Sequence, residues 1–233
     1  MRLRRSSLAG SRRRARERAA PGPLRDALAV PLPDTDVPTD QLPLLAVDIE
    51  TTGLDAEHDR VLSIGWVPVD GRDIVLAGAR YRIVQPDGDE PVGPSATVHR
   101  LTDDDVAAGI PLADAVADLL ADLAGRVLLA HFARIETEFL GRACDRLWGA
   151  GMPGPVADRL QLQHRLVTTA WQPDPPAGAL RLWTARERYG LPHTGPHHAL
   201  ADALACAELY LGQTAELGHG RPMPLRRIAA QSR

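Results

Sequence analysis

Asp48 and Glu50 stand one residue apart, just after the apolar run Leu44-Leu45-Ala46-Val47. On a strand, alternate side chains share a face, so both carboxylates point the same way at the edge of a buried segment. There they repel each other and lose water, and both costs call for a compensating cation. A hard divalent ion with oxygen ligands meets that need. An arbitrary D-x-E would be a cap and a solvated turn; the full heptad Asp48-Ile49-Glu50-Thr51-Thr52-Gly53-Leu54 behind an apolar strand argues otherwise. Two more acids head apolar stripes. Phe132, Glu136, Leu140 and Ala143 fall on one helical face with Leu147, which turns Glu136 toward the core and leaves Glu138 facing solvent. Asp202 shares a face with Ala199, Cys206 and Leu209. The sequence has no nucleophile elbow, P-loop or dinucleotide-type glycine turn, so metal-assisted hydrolysis is the chemistry these residues suit.

The elements that must position these groups are readable from periodicity. Leu44 to Val47 reads as a strand covered on both faces. Val61 to Val69 and Ile74 to Val84 are strand-like and separated by the Asp70-Gly71 turn signal, so the three predict a meander. Leu112, Val116, Leu119, Leu120 and Leu123 have helical spacing. Arg126 to Ala130 predicts a buried strand, followed by a helix over 133–148. A short strand at 156–158, helices around 160–167 and 179–189, and a last helix over 198–217 complete the pattern. Strands first, then strands alternating with helices, predict a mixed α/β sheet with helices on its faces.

These residues also carry a resemblance. The Asp48–Leu54 heptad resembles the first motif of the DEDD-type 3′→5′ exonucleases, a group that includes the proofreading epsilon subunit of bacterial DNA polymerase III, RNase T and oligoribonuclease. Residues 130–140 (AHFARIETEFL) resemble the second motif, usually A-H-N-A-x-F-D-x-x-F-L, with Glu136 in place of Asp and Phe132 in place of Asn. His197-His198-Ala199-Leu200-Ala201-Asp202-Ala203 is similar to the third, H-x-A-L-x-D-A. Thr97-Val98-His99-Arg100-Leu101-Thr102 resembles the family's V-H-G-I-T, whose His lies near the terminal nucleotide, and Tyr189-Gly190-Leu191-Pro192 is also family-like. Asp158-Arg159 stands where D-T is common, and Asp158 is read as structural. The resemblance covers 44–217.

It implies an RNase H-like sheet, an antiparallel meander followed by parallel strands, flanked by helices. Asp48, Glu50, Glu136 and Asp202 would hold two divalent cations, Mg²⁺ or Mn²⁺. His197, which follows Gly195-Pro196 in a loop or first turn, would be the general base; an imidazole pKa of ~6.5 suits that role. Thr51, Thr52, Gly53, Leu54 and His99 would contact substrate. The expected activity is hydrolysis of single-stranded DNA 3′ ends to nucleoside 5′-monophosphates. Competing readings are an exoribonuclease acting on short RNA and a non-catalytic module of the same fold that binds nucleic acid or a polymerase. A DNA polymerase is a candidate partner. Gln41-Leu42-Pro43-Leu44-Leu45 resembles peptides that bind the bacterial sliding clamp, but Leu44 and Leu45 are needed in the first strand, so a clamp partner is not expected.

Composition bounds the rest. The 233 residues are 44% hydrophobic, 24% charged and 4% aromatic, enough for one substantial core. No apolar run reaches the ~18 residues of a membrane span, and no secretory signal is evident, so a cytoplasmic protein is expected. Cys144 and Cys206 read as small buried apolar residues in a reducing compartment. All 27 basic residues are Arg; eight of them, against one Glu, fall in the first 18 positions, leaving 19 Arg against 29 acids in the remaining 215. Residues 1–41 read as a disordered Arg- and Pro-rich tail, 42–218 as the exonuclease domain and 219–233 as a short C-terminal tail. The Arg run is either a solvated tail or an electrostatic attachment to nucleic acid. Among aromatics, Trp66, Trp148, Trp171, Trp183 and Phe132 are candidate stacking platforms, with most Trp expected in the core.

Overall fold

A computed structural model of the chain describes residues 7–85, 102–192 and 197–231. His99 and the Thr97–Leu101 stretch lie outside those residues, as do Gly195 and Pro196. The chain opens with helices α1 (Leu8–Arg18) and α2 (Pro23–Ala29), then enters the sheet at β1 (Pro43–Thr51) and β2 (Val61–Asp70). A short β3 (Asp73–Ile74), β4 (Arg80–Gln85), helix α3 (Asp103–Ala107), β5 (Ile110–Pro111) and helix α4 (Leu112–Leu123) follow. Then β6 (Val127–Ala130), α5 (Arg134–Trp148), β7 (Pro155–Asp158), α6 (Arg159–Val167), α7 (Leu182–Arg188), α8 (Ala199–Leu217) and β8 (Ala229–Gln231) complete it.

The sheet runs β5-β4-β2-β1-β6-β7-β8, with β3 added on β2. Strand β2 is antiparallel to β1 and β4, whereas β6 and β7 run parallel to β1. This is the expected mixed sheet. The predicted strand over 74–84 is interrupted: a 3₁₀ turn at Leu76–Gly78 separates β3 from β4.

Alternation along β1 builds two cores. Leu45, Val47 and Ile49 face one way, onto Trp66, α4 and α5. Leu44 and Ala46 face the other way, onto Cys206, Ala207 and Tyr210 of α8. Burying a Leu, Ile or Val side chain contributes roughly 1.5–3 kcal/mol, so register along β1 is strongly fixed. That register puts Asp48 and Glu50 on the α8 side.

The tail expectations do not survive. Ala19, Leu24 and Leu28 of the α1–α2 segment are buried in the core beneath α4 and α5. Met223, Leu225 and Ile228 are buried too, and β8 pairs antiparallel with β7. The two ends meet where Thr39 N–H donates to the Met223 carbonyl at 2.8 Å. Charge and proline content masked the apolar positions 15, 19, 24 and 28, which form helices only because a core is there to receive them. Leu42, Leu44 and Leu45 of the clamp-like peptide are fully buried. Cys144 and Cys206 are free and buried. Trp66 is fully buried, its indole N–H donating to Asp122 at 2.8 Å, whereas Trp171 is 97% exposed.

Candidate active site

Three chain segments deliver the acids to one place. On β1, Asp48 lies opposite Gly65 and Glu50 opposite Ser63, and the register shifts just beyond Glu50. A side chain at Gly65 would collide with the backbone of Ala199 and Leu200, so this glycine allows the start of α8 to lie directly on the sheet. Asp202, in the first turn of α8, is thereby brought down beside Asp48. Carboxylate oxygens of Asp48, Glu50 and Asp202 lie within 4.8 Å of one another. Glu136, in the first turn of α5, is 3% exposed and stands outside this close trio, though its charge acts on Asp48. Glu138 is exposed and pairs with Arg134 at 3.7 Å.

Electrostatics make the cluster hungry for positive charge. Burial, then the charges of Glu136, Asp202 and Glu50, holds Asp48 well above the usual carboxylate range. Burial, then Asp202, pushes Glu50 up to about 8. Burial also raises Glu136 and Asp202. Glu136 Oε2 and Asp202 Oδ1 are buried with no hydrogen-bond donor among the described residues. Orphaned buried oxygens are expensive, and an all-oxygen donor set of this kind fits a hard divalent cation. The helix N-termini that carry Glu136 and Asp202 favour anionic charge only modestly, by about 0.3–1 kcal/mol each.

His197 sits beside the trio. Its backbone N–H donates to Asp202 Oδ2 at 2.9 Å, and its φ of +68° is unusual for a residue with a side chain. His198 is structural. It caps α8 through Ala201 N–H and stacks on Tyr81 with ring centroids 4.4 Å apart.

The turn after β1 is knit by Asp59, which sequence reading missed. Its carboxylate accepts the Thr52 hydroxyl at 3.0 Å and the Asp55 N–H at 2.8 Å, and it packs where a side chain at Gly53 would go. Thr51 is buried, with its hydroxyl donating to the Gly53 carbonyl. Leu54 is left projecting, 74% exposed. It lines one side of a cleft of about 1420 Å³ whose other walls include Ala133, Arg134 and Asp158.

Phe132 departs from the helical stripe predicted for it. It precedes α5, adopts φ +62°, and is 40% exposed with the Arg134 guanidinium 5.6 Å from its ring centroid. Asp158 holds this kink: its Oδ1 accepts N–H groups from Phe132 at 3.1 Å and from Leu160 at 2.9 Å while capping α6. The structural reading of Asp158 therefore extends to the start of α5, and its charge also reaches Glu136. An Asp just before a helical run is an N-cap signal, but nothing local indicated the second helix it serves. Asn tolerates the left-handed region where Phe is strained. Phe132→Asn should therefore stabilise the protein by about 1 kcal/mol, an increase in Tm of about 2–4 °C by calorimetry; an unchanged or lower Tm would show the kink carries no strain.

A family model described as Exonuclease (RNase T) matches residues 45–210. The DNA polymerase III subunit epsilon of Treponema pallidum (strain Nichols) is 32% identical over 171 residues, covering 71% of this chain and 73% of that protein. An epsilon-like protein of Rhodobacter capsulatus is 30% identical over 178 residues, but the match spans only 24% of its length. Among solved structures, Exonuclease X in complex with 5′ overhanging duplex DNA superimposes with a TM-score of 0.56 at 24% identity, over 75% of this chain and 93% of that one. The nuclease domain of 3′hExo, a DEDDh family member bound to rAMP, gives 0.62 at 15% identity, over 78% and 95%. At those identities the structural likeness speaks for the fold.

Proposed function

We propose, from the premise that this chain belongs to the RNase T exonuclease family as an epsilon-like member of the DEDD type, that it is a divalent-metal-dependent 3′→5′ exonuclease releasing nucleoside 5′-monophosphates from single-stranded DNA ends. That it is a nuclease follows from the family; the direction, substrate and metal dependence are our reading. One observation carries it: Asp48, Glu50 and Asp202 within 4.8 Å of one another, with buried Glu136 alongside. When bound, two Mg²⁺ or Mn²⁺ ions would supply Lewis acidity and offset charge on the leaving 3′ oxygen.

The remaining roles fall to the chain. Asp48, Glu50, Glu136 and Asp202 would hold the ions. An imidazole nitrogen of His197 takes the proton of the attacking water, and the N–H bond to Asp202 fixes where that imidazole starts from. Residues 51–54 form the wall against which the terminal nucleotide packs, with Leu54 exposed to meet a base. His99 would join them from outside the described residues. We assign 42–218 as the catalytic unit, with α1, α2 and the C-terminal strand as additions packed onto it. Two free buried cysteines suit a reducing cytoplasm, and no described helix is long and apolar enough to cross a membrane. The epsilon relative makes a DNA polymerase the partner to test first.

Matched DNA and RNA oligomers digested side by side with Mn²⁺ should show metal-dependent release of mononucleotides, faster from DNA. RNA degraded preferentially would reassign the substrate, and release unaffected by EDTA would remove the metal. Glu136→Asp should remain active, because a carboxylate one methylene shorter is the family's usual ligand. Inactive Glu136→Asp together with inactive Glu138→Ala, in the same mononucleotide-release assay, would mean the wrong acid has been assigned.

A further inference from the structure

Helix α1 lies outside the family-matched segment, and nothing in the catalytic account uses it. It is nonetheless fixed to the body. The Arg12 guanidinium donates to the carbonyls of Pro153 at 3.1 Å, Ala27 at 3.2 Å, Leu28 at 3.3 Å and Val30 at 3.2 Å. Ala19 is fully buried, and Ala20 N–H donates to the Trp148 carbonyl at 2.8 Å. Arg12 thus locks the helix against the body, while Arg13, Arg14, Arg16 and Arg18 are exposed on its outer side with Glu17 as the one acid there. At 100° per residue, Arg14 and Arg18 form one flank and Arg13 and Arg16 the other. The fold contacts of Arg13 and Arg14 are weak: Arg14 donates to the Ser11 hydroxyl at 3.3 Å within the same helix, and Arg13 is 3.9 Å from Glu17 with its side chain 75% exposed, an exposed i,i+4 pair that contributes only ~0.3–0.5 kcal/mol.

The position of this face matters. Asp145 lines the large cleft that opens beside Asp158, and Arg18 reaches Asp145 at 3.5 Å and the Gly149 carbonyl at 3.0 Å. The cleft itself carries five carboxylates against Arg134 and Arg142. Beyond residue 18 the whole chain has 19 Arg against 29 acids. A polyanionic strand therefore meets an adverse field over most of the body and a favourable one at α1. A solvated tail would need no four-carbonyl anchor.

We propose that the outer face of α1 is an attachment surface for the phosphodiester backbone of the substrate strand, away from the point of cleavage. This rests on the exonuclease reading for the identity of the ligand as substrate, but its binding test does not require hydrolysis. Arg13, Arg14 and Arg16 are replaced together, by Gln or by Lys, with Arg12 and Arg18 kept. A fluorescent 20-nucleotide single strand is titrated in EDTA at several salt concentrations. The Gln triple should bind about tenfold more weakly at ~50 mM salt, and the slope of log K against log salt should fall by about 2, since each lost contact to a single strand is worth ~0.7. The Lys triple, which keeps the charge, should bind within about twofold of the parent. With Mg²⁺ present, kcat/KM on a trinucleotide should be the same in all three proteins.

Equal affinity and slope for the Gln triple and the parent would overturn the proposal, as would a Lys triple as weak as the Gln triple. Equal losses on the trinucleotide and the 20-mer would overturn it too, because the effect would then run through the catalytic unit. A parent that binds the strand as described yet cleaves neither substrate would leave attachment standing and remove the exonuclease reading.

Discussion

Asp48→Asn should lower kcat/KM for oligonucleotide hydrolysis by at least ~10²–10³, the scale on which removing one directed charge from a transition-state site acts. The same substitution should stabilise the metal-free protein. Asp48 is held above its usual pKa by burial and by Glu136, Asp202 and Glu50, so its ionised form is opposed from every side. An amide keeps the shape and removes the charge. At pH 8 the gain should be at least about 1 kcal/mol, the scale on which neighbouring carboxylates oppose an ionised group, read as a higher midpoint in urea. Loss of activity with gain of stability separates a ligand from a scaffold residue. A variant that loses both would make Asp48 structural, and one that keeps turnover would remove it from the chemistry.

Stability of the metal-free protein should fall as pH rises from about 4.5 to 8. Glu50 has its folded pKa raised to about 8 from an ordinary 4.5, and Asp48, Glu136 and Asp202 are raised in the same direction. In that window the folded state holds more protons than the unfolded one, so the derivative of unfolding free energy with pH is negative. The contribution is complete below the unfolded value and is lost as pH passes the folded one. Added Mn²⁺ should reverse the trend, since ligands must be deprotonated to bind and a cation that binds only the folded state stabilises it. Thermal melts across pH 5–9, with and without Mn²⁺, should give a larger metal-induced rise in Tm at pH 8 than at pH 5. A metal-free stability that increases over this range would mean the acids are already neutralised by the protein.

Much of this was legible because the signals were local. Alternation fixed the facing of Asp48 and Glu50, and the helical stripe through Leu140 and Ala143 fixed that of Glu136. What was not legible depended on partners distant in sequence. Gly65 reads as an ordinary strand glycine until α8 is seen pressed against it. Phe132 looked like the head of a helical stripe because periodicity cannot report a backbone held by Asp158, 26 residues away. The N-terminal segment reads by its charge as a tail, whereas its fold follows from burial of Ala19, Leu24 and Leu28 and from Arg12 bonding four carbonyls, partners that no pattern in residues 1–18 reveals.

The most direct test is a crystal of the unaltered protein soaked in Mn²⁺, with anomalous scattering used to place the ions. Two manganese peaks among Asp48, Glu50, Glu136 and Asp202, each bound by carboxylates of that set, are the predicted result. No peak there in the unaltered protein, or Glu136 turned out of the cluster, would contradict it.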